Sequence, residues 1–300
     1  MSVRWFDRWL WRSARPVPHH PQTRLVTTSG AVVRVRDTGG LRPALVFLCD
    51  PPNTIEHYDA LIAALGPSAR VIVVELPGFG FSRAARSSAL GFDGAVDAIE
   101  EALAALDSGP VVLAAPCITG FVAVALTARA RLEVSGLVLL QVPDVAGIRA
   151  WTDRMDPRRT LRRAYVGQLM LRLTAPKVAR LWYRFASARG SAHDRLADIA
   201  EHVLAAGGAY SLATMMQDWR TGPFDGALAV PTLVVWGAQD RSHAGTDRRS
   251  TLRHAEHATI TELPQCGHFC ELEDPEATVA LLLPFAHQAW AGTPRTPDHA

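Results

Sequence analysis

The sequence predicts an α/β fold with a mostly parallel central sheet, helices on both faces and a helical cap. Short, fully apolar runs, typical of strands buried on both faces, lie at residues 43–49, 71–76, 111–115 and 135–142. Helix-like segments separate these runs, at 56–65, 92–106 and from Cys117 to about 130. After a helical stretch the strand pattern resumes at 231–237 and 258–263, and such alternation favours a parallel sheet between helical layers.

The remaining elements follow from local signals. Alternating apolar and polar residues on both sides of Ser29-Gly30 predict a hairpin, at 24–28 and 31–36. The segment 145–228 lacks buried-strand runs and predicts helices, at 161–175, 178–188, 193–206 and 211–219. The last helix is predicted over 274–289, with Asp274 as N-cap and Pro275 at its first position.

These elements divide the chain into five parts. They are an N-terminal extension (1–22), a first core part (23–144), a helical cap (145–228), a second core part (229–291) and a flexible tail (292–300). The N-terminal extension is rich in tryptophan and arginine, with an aromatic face that could rest on a membrane surface. Because it is only about three turns long, we expect it to pack on the protein body instead.

Composition excludes several classes of protein. With 48% hydrophobic and 20% charged residues, the chain of 300 residues can bury a substantial core and is not expected to be disordered. A net charge of +2 gives no case for a nucleic-acid partner. The sequence contains no run of about 18 apolar residues, so it predicts no membrane-spanning helix. The N-terminus lacks the features of a secretory signal, so we expect a cytoplasmic location and free thiols.

The residues that follow three of the strands carry the candidate chemistry. Cys117 stands at a turn of small residues between the strand 111–115 and a helix, a layout that presents a nucleophile. Asp240 follows the strand 231–237, and His268 lies in the loop after 258–263. A histidine can take the thiol proton and a buried carboxylate can orient the imidazole, while the helix that starts at Ile118 favours thiolate.

Four stretches resemble the capped, single-domain α/β-hydrolases. They are ELPGFGFSRA (75–84), APCIT at the nucleophile turn, PTLVVWGAQD (231–240) and GHFCELEDPE (267–276), and the similarity covers most of residues 24–289. The resemblance implies Cys117 as nucleophile, Asp240 as acid and His268 as base, with no cofactor. It also implies a cap at 145–228 that shapes the pocket for a small-molecule acyl substrate.

The sequence departs from that family at the nucleophile turn and at one loop. Cysteine replaces the usual serine, and Thr119 replaces a glycine, which crowds a strained turn. The family usually has His-Gly-x-Pro after the first parallel strand, whereas this chain has Cys49-Asp50-Pro51-Pro52. Pro51 has no N–H to donate to an oxyanion. The Ile118 N–H would remain, and either the Asn53 side chain or a protonated Asp50 could supply the second donor.

Several alternatives stay open. Asp144 is an alternative acid, and Glu75 is expected to be structural. Three thiols and His268 could bind zinc, or Cys49 and Cys117 could form a redox pair, although packing is the simpler role for Cys49, Cys266 and Cys270.

The basic residues of the cap suit an acidic or carrier-bound substrate, or are a solvated surface. The sequence predicts ester, thioester or lactone hydrolysis or acyl transfer; a non-catalytic binding protein or lyase or cyclase chemistry is the alternative.

Overall fold

The computed structural model describes residues 3–11, 17–40, 43–190, 192–219 and 228–292. Residues 220–227 of the predicted cap, residues 1–2 and 12–16 of the predicted N-terminal extension and most of the predicted tail therefore fall outside the described residues. Helices and strands in the described part follow the predicted alternation along the core.

A nine-stranded sheet forms the centre of the fold, and its order is β1-β2-β4-β3-β7-β8-β10-β11, with β6 paired to β2. Its strands are β1 (Thr23–Thr27), β2 (Ala31–Asp37), β3 (Ala44–Leu48), β4 (Arg70–Val74), β6 (Arg83–Ala84), β7 (Val111–Pro116), β8 (Val134–Leu140), β10 (Thr232–Gly237) and β11 (Thr259–Leu263). Strands β3, β4, β7, β8, β10 and β11 pair in parallel, and β1 and β2 are antiparallel. The predicted mostly parallel sheet and its N-terminal hairpin are confirmed.

Ten α-helices surround this sheet in the described part of the chain. They are α1 (Arg4–Leu10), α2 (Asp59–Leu65), α3 (Phe92–Ala105), α4 (Cys117–Arg129), α5 (Val145–Met155), α6 (Val166–Ala186), α7 (His193–Ala205), α8 (Leu212–Asp218), α9 (Cys270–Glu273) and α10 (Pro275–Ala291). Apolar side chains of α3 and α4 pack on one face of the sheet, and those of α2 and α10 pack on the other. Every residue of β3 is buried, as a strand between two helical layers requires.

The helical stretch after β8 differs from the prediction in three respects, and the first is helix α5 (Val145–Met155), which was not predicted. The segments 161–175 and 178–188 contribute to one helix, α6, which begins only at Val166 and contains Pro176. Proline removes one helix hydrogen bond, but Leu171, Ala175, Ala179 and Tyr183 bury one continuous face on both sides of it. A short strand, β9 (Ala209–Tyr210), also lies in this stretch and pairs with β5 (Phe79–Gly80) in a separate two-stranded sheet.

The two ends of the described chain are anchored differently. Asp274 caps α10, since its carboxylate accepts a hydrogen bond from the Ala277 N–H at 3.0 Å. At the other end, α1 packs on the protein body, where the Phe6 ring lies 5.3 Å from that of Tyr165. Of the helices in the described ranges, none combines the length and the apolar character needed to cross a membrane.

Candidate active site

Cys117 occupies a strained turn between β7 and α4. Its φ of 42° lies in the left-handed region, which is uncommon for a residue other than glycine. Gly120 permits this tight turn, because a Cβ there would collide with the Val142 side chain. Thr119 is accommodated inside α4, where its hydroxyl donates to the Pro116 carbonyl at 2.6 Å. The turn therefore holds the thiol in one place above the carboxyl end of β7.

His268 and Asp240 lie together beside this turn. Nδ1 of His268 is 2.7 Å from Oδ2 of Asp240, and both side chains are buried. The other carboxylate oxygen, Oδ1, accepts the Ser242 N–H at 2.8 Å. Burial would raise the pKa of Asp240, but the neighbouring His268 charge and hydrogen bond outweigh it and hold the pKa at about 2. An ionised Asp240 can therefore fix the orientation of the imidazole.

The thiol, the imidazole and a second carboxyl group form a buried cluster. One ligating atom each of Asp50, Cys117 and His268 lie within 4.8 Å of one another. Burial and the charge of Asp50 raise the pKa of Cys117 to about 11, against the opposing effect of His268. Burial alone would lower the pKa of His268, but the charge of Asp240 holds it well above the usual value. Cys117 therefore rests as a thiol, and it needs a base at the moment of attack.

Asp50 lies where an oxyanion would be expected to bind. Burial raises its pKa to about 7, while the charge of His268 and the backbone N–H groups of Thr119 and Ile118 act in the opposite direction. Its Oδ1 is buried without a hydrogen-bond partner. Pro51, which lines the cavity beside it, has no N–H to offer. The carboxyl of Asp50 thus lies near the Ile118 N–H, which the sequence predicts as an oxyanion donor, and near the Thr119 N–H.

Asn53 does not lie at this position. It is absent from the residues that line the cavity, and its Oδ1 accepts the hydroxyl proton of Tyr183 at 2.9 Å. Its backbone N–H closes the turn by donating to the Asp50 carbonyl at 2.8 Å. The structure therefore brings Asp50, Pro51 and Ile118 to the site and leaves Asn53 behind it.

Residues that the sequence reasoning missed hold the His268 loop. The Glu273 carboxylate accepts three backbone N–H groups, from Ala188 at 2.7 Å, Phe269 at 3.0 Å and Gly267 at 3.1 Å. The Gln141 amide donates to the Gly267 carbonyl at 2.7 Å, and β10 approaches so closely that a Cβ at position 237 would collide with that carbonyl. The available signal was the position of Glu273, a few residues after a loop histidine, where a carboxylate can accept loop N–H groups.

Aromatic rings enclose the imidazole on several sides. Trp182 approaches His268 edge-on at 5.1 Å, and His243 stacks on it at 5.5 Å with an interplanar angle of 7°. Burial lowers the pKa of His243 to about 3, so this second ring stays neutral. Trp151 stacks on His243 and lies within 3.3 Å of the Ser242 hydroxyl through its Nε1. The neighbours shield His268 without adding positive charge.

The other candidate acids serve the framework. Asp144 caps α5 by accepting the Gly147 N–H at 2.8 Å, and it also pairs with Arg253. Glu75 is fully buried and accepts a hydrogen bond from Arg34 at 3.0 Å and from the Phe81 N–H at 2.7 Å. Neither carboxylate contacts His268 in these interactions.

Among the described residues, two sets of side chains are close enough together to bind a metal ion. They are Asp50, Cys117 and His268, and Asp240, His243 and His268. The first set would need the Cys117 thiolate, which burial disfavours, and in the second the Asp240–His268 hydrogen bond already uses Nδ1. All four cysteines are buried free thiols, and Cys117 alone among them belongs to either set.

A cavity of about 490 Å³ lies over the cluster. Asp50, Pro51, Cys117 and Ile118 contribute from the core side. Helices α5, α6 and α8 supply mostly apolar residues, which include Ile148, Trp151, Leu181, Trp182, Phe185, Met215 and Met216. Arg149 and Arg154 also line the cavity, whereas Arg162 of the same basic stretch is tied to Asp156. The lining of the cavity is therefore mostly apolar and includes two arginines.

Known proteins share this architecture. The structure of a thermophilic esterase from Thermogutta terrifontis is 21% identical, with a TM-score of 0.70, covering 89% of this chain and 99% of that chain. Epoxide hydrolase A from Mycobacterium thermoresistibile is 16% identical, with a TM-score of 0.74 and coverages of 89% and 98%. Est816, described as an N-acyl homoserine lactone degrading enzyme, is 17% identical, with a TM-score of 0.70 and coverages of 87% and 100%. At these identities the likeness shows a shared fold.

Sequence comparison gives the family. No curated protein matches the chain. A family model described as "Alpha/beta hydrolase family" matches residues 45–281, which includes every strand from β4 to β11 and all three members of the Cys117, Asp240 and His268 set. The chain therefore belongs to the alpha/beta hydrolase family.

Proposed function

We propose that this protein cleaves an ester, thioester or lactone, or transfers its acyl group, with Cys117 as the nucleophile. The observation that supports this most directly is the Cys117, His268 and Asp240 arrangement at a strained turn under a mostly apolar cavity. We further propose that residues 145–228 act as the cap that selects the substrate. The names of two structural neighbours, an esterase and a lactone-degrading enzyme, are consistent with this class of substrate.

The proposed reaction has two half-reactions. Nε2 of His268 takes the thiol proton while Sγ of Cys117 attacks the substrate carbonyl carbon. The tetrahedral intermediate collapses, and the protonated imidazole gives its proton to the leaving alcohol or thiol, which leaves a thioester on Cys117. Water, or another acyl acceptor, then attacks the thioester with His268 as base. Asp240 orients the ring and stabilises its charged form in both halves.

Asp50 is proposed to act in this reaction as a carboxylic acid. A protonated carboxyl can donate a hydrogen bond to the developing oxyanion, together with the Ile118 N–H, in place of the donor that Pro51 lacks. An ionised Asp50 would instead repel that oxyanion. With a pKa of about 7, both forms are accessible near neutral pH.

The position of Asp50 also favours one second candidate. Its carboxylate lies near the N–H groups of Ile118 and Thr119 and within 4.8 Å of a ligating nitrogen of His268. Such a carboxylate could attack an electrophilic carbon, such as that of an epoxide, while the ring oxygen takes a proton from the protonated His268 imidazole, which leaves a hydroxyalkyl ester on Asp50. A water activated by His268 would then hydrolyse that ester at its carbonyl carbon. The epoxide hydrolase among the structural neighbours makes this class worth testing.

Intact-protein mass and peptide mapping distinguish these mechanisms. Wild type, Cys117→Ala, His268→Ala, Asp50→Asn and, as a matched control, Cys266→Ala are exposed briefly to p-nitrophenyl acyl esters and, separately, to an aryl epoxide. An acyl adduct on Cys117 that persists in Cys266→Ala, disappears in Cys117→Ala and forms slowly in His268→Ala supports the first proposal. The anionic or carrier-bound substrate class is examined by adding esters with a terminal carboxylate.

Two other outcomes would overturn the proposal that Cys117 is the nucleophile. An alkyl adduct on Asp50 with the epoxide, and no acyl adduct on Cys117, favours the second candidate. Failure of every probe to label the wild-type protein would leave a binding protein, or lyase or cyclase chemistry that forms no covalent intermediate.

A further inference from the structure

The large apolar side chains that remain exposed are concentrated on one side of the molecule. Among the described residues there are nine of them, and eight lie on α1, on α6 or at the residue just before α6. These eight are Trp5, Trp9, Tyr165, Val166, Leu169, Leu173, Leu181 and Phe185. The ninth, Leu25, lies on β1. Such clustering marks an interaction surface, whereas scattered exposed residues would not.

The two helices form one continuous face, which we call the α1–α6 face. The Phe6 ring of α1 packs against Tyr165 at 5.3 Å, and the Arg172 guanidinium of α6 lies over the Trp11 ring at 5.2 Å. The exposed residues of α6 recur at spacings of three and four, from Val166 through Leu169 to Leu173, which places them along one side of the helix.

The exposed charged side chains that α1 and α6 contribute to this face are positive. Helix α6 contains Arg172, Lys177, Arg180 and Arg184 and no aspartate or glutamate. The acid of α1, Asp7, is buried. Acidic side chains of α7 pair with Arg180 and Arg184 near the end of α6, which leaves Arg172 and Lys177 beside the apolar residues Leu169 and Leu173.

The same face reaches the mouth of the active-site cavity. Leu181 and Phe185 are exposed on α6, and both also line the cavity above Cys117. An apolar molecule held at the α1–α6 face near Leu181 and Phe185 would therefore contact side chains that also line the cavity.

We infer that the α1–α6 face docks on a lipid surface that contains anionic headgroups. Exposed tryptophans are suited to the boundary between headgroups and acyl chains, and leucines beside them can enter its apolar edge. The cations complement anionic lipids. A second copy of this chain fits less well, because a symmetric contact would bring Arg172 and Lys177 of each copy together. The inference does not depend on the proposed reaction.

Vesicle cosedimentation tests the inference directly. The full chain is mixed with vesicles of phosphatidylcholine alone, or of phosphatidylcholine with phosphatidylglycerol, at low and high salt. Wild type should bind the anionic vesicles, and binding should weaken as salt screens the charges. Leu169→Ser/Leu173→Ser should bind at least about tenfold more weakly. Leu25→Ser is the matched control, since Leu25 is 49% exposed and Leu169 is 47% exposed, and it should bind like wild type.

Three results would overturn the inference. They are no binding of wild type to anionic vesicles at low salt, equal binding by the double variant, and a comparable loss in Leu25→Ser. Circular dichroism of each variant establishes that it is folded. A dimer in size-exclusion chromatography that the double variant abolishes, without vesicle binding, would assign the face to self-association instead. Because this assay measures no turnover, its outcome is separable from that of the labelling experiment.

Discussion

The Asp50→Asn variant tests the most unusual feature of the proposed mechanism. Asp50, Cys117 and His268 have ligating atoms within 4.8 Å of one another. The carboxyl of Asp50 can donate a hydrogen bond to an oxyanion only while it is protonated. Asparagine has nearly the same shape and keeps an N–H donor at every pH. The substitution therefore removes an ionisable carboxyl group but keeps a hydrogen-bond donor at the same place.

The size of the effect follows from the distance. The ligating atoms of Asp50 and Cys117 lie no more than 4.8 Å apart, and an oxyanion on a carbon bonded to Sγ is taken to lie at a similar distance from Asp50. Two unit negative charges at that separation repel by about 3.5 kcal/mol at an effective dielectric constant of about 20. That repulsion corresponds to a rate about 400-fold lower when Asp50 is ionised than when it is neutral. The reaction needs a neutral Asp50 and a neutral His268, and two interacting groups titrate as a pair. Wild-type kcat/KM should therefore be bell-shaped in pH.

The alkaline side of that bell should distinguish the two proteins. With the pKa of Asp50 at about 7, the wild-type decline should begin at or above that pH and then approach tenfold per pH unit. In Asp50→Asn only His268 titrates, and the charge of Asp240 holds the pKa of that ring well above its usual value, so kcat/KM should keep rising through the alkaline range and should not decline. The ratio of variant to wild type should grow with pH up to the limit of about 400-fold set by the charge repulsion.

The assay is kcat/KM for a p-nitrophenyl ester from about pH 5 to about pH 9. The rate measured with Cys117→Ala is subtracted at each pH, because such esters hydrolyse spontaneously in alkali. Asp93→Asn, which changes an exposed carboxylate on α3, is the matched control and should keep the wild-type profile. The same alkaline decline in Asp50→Asn would refute the reasoning. An Asp50→Asn variant that is folded but inactive toward the ester at every pH would also refute it, because the retained amide donor should preserve turnover.

Three further predictions concern the groups around this centre. Asp240→Asn should lower kcat by about 10⁴ with KM little changed, because the 2.7 Å contact that fixes the His268 tautomer is lost; steady-state kinetics would contradict this if kcat fell less than tenfold. Glu273→Gln should lower the free energy of unfolding by about 1–3 kcal/mol and also reduce kcat, since an amide oxygen cannot replace both carboxylate oxygens that accept loop N–H groups; an unchanged denaturation midpoint would count against it. Burial raises the pKa of Glu271 from 4.5 to about 8, so its ionisation destabilises the fold only as pH rises above the unfolded value. Glu271→Gln should therefore add up to about 5 kcal/mol to the free energy of unfolding near pH 9 and nothing near pH 4, as measured by denaturant titration; equal effects at both pH values would exclude this cause.

The core could be predicted from the sequence because its signals are local and repeated. The apolar run at Ala44–Leu48 is fully buried as predicted. Asp274 caps α10 as predicted, because an aspartate directly before a proline is a local signal for a helix N-terminus. The helical stretch after β8 was less predictable, because helix ends there depend on tertiary packing. Pro176 suggests an interruption, yet the buried row from Leu171 to Tyr183 keeps α6 continuous.

In the candidate site, too, some features could be predicted from the sequence and others could not. The spacing of Cys117, Asp240 and His268 relative to their strands predicted that they would meet, since parallel strands bring their carboxyl ends to one edge of the sheet. The surroundings of His268 could not be predicted in this way. Glu273 and Gln141 act on backbone groups of the loop, and contacts of that kind depend on how distant segments pack.

The changes at Asp50, Pro51 and Cys117 have to be considered as one arrangement. Loss of an oxyanion donor at Pro51 would by itself cost about 2.7–4 kcal/mol of transition-state stabilisation. An ionised Asp50 would add repulsion of similar size, so the two changes together would leave little catalysis. A neutral Asp50 reverses both effects, because it removes the charge and supplies a donor at the same place. Burial raises the pKa of Cys117 to about 11, which keeps the thiol protonated, and raises that of Asp50 to about 7, so that the neutral acid predominates below that pH. On this reasoning the low polarity of the site is what makes the unusual loop compatible with catalysis, and the same low polarity confines activity to the pH range in which Asp50 can hold its proton.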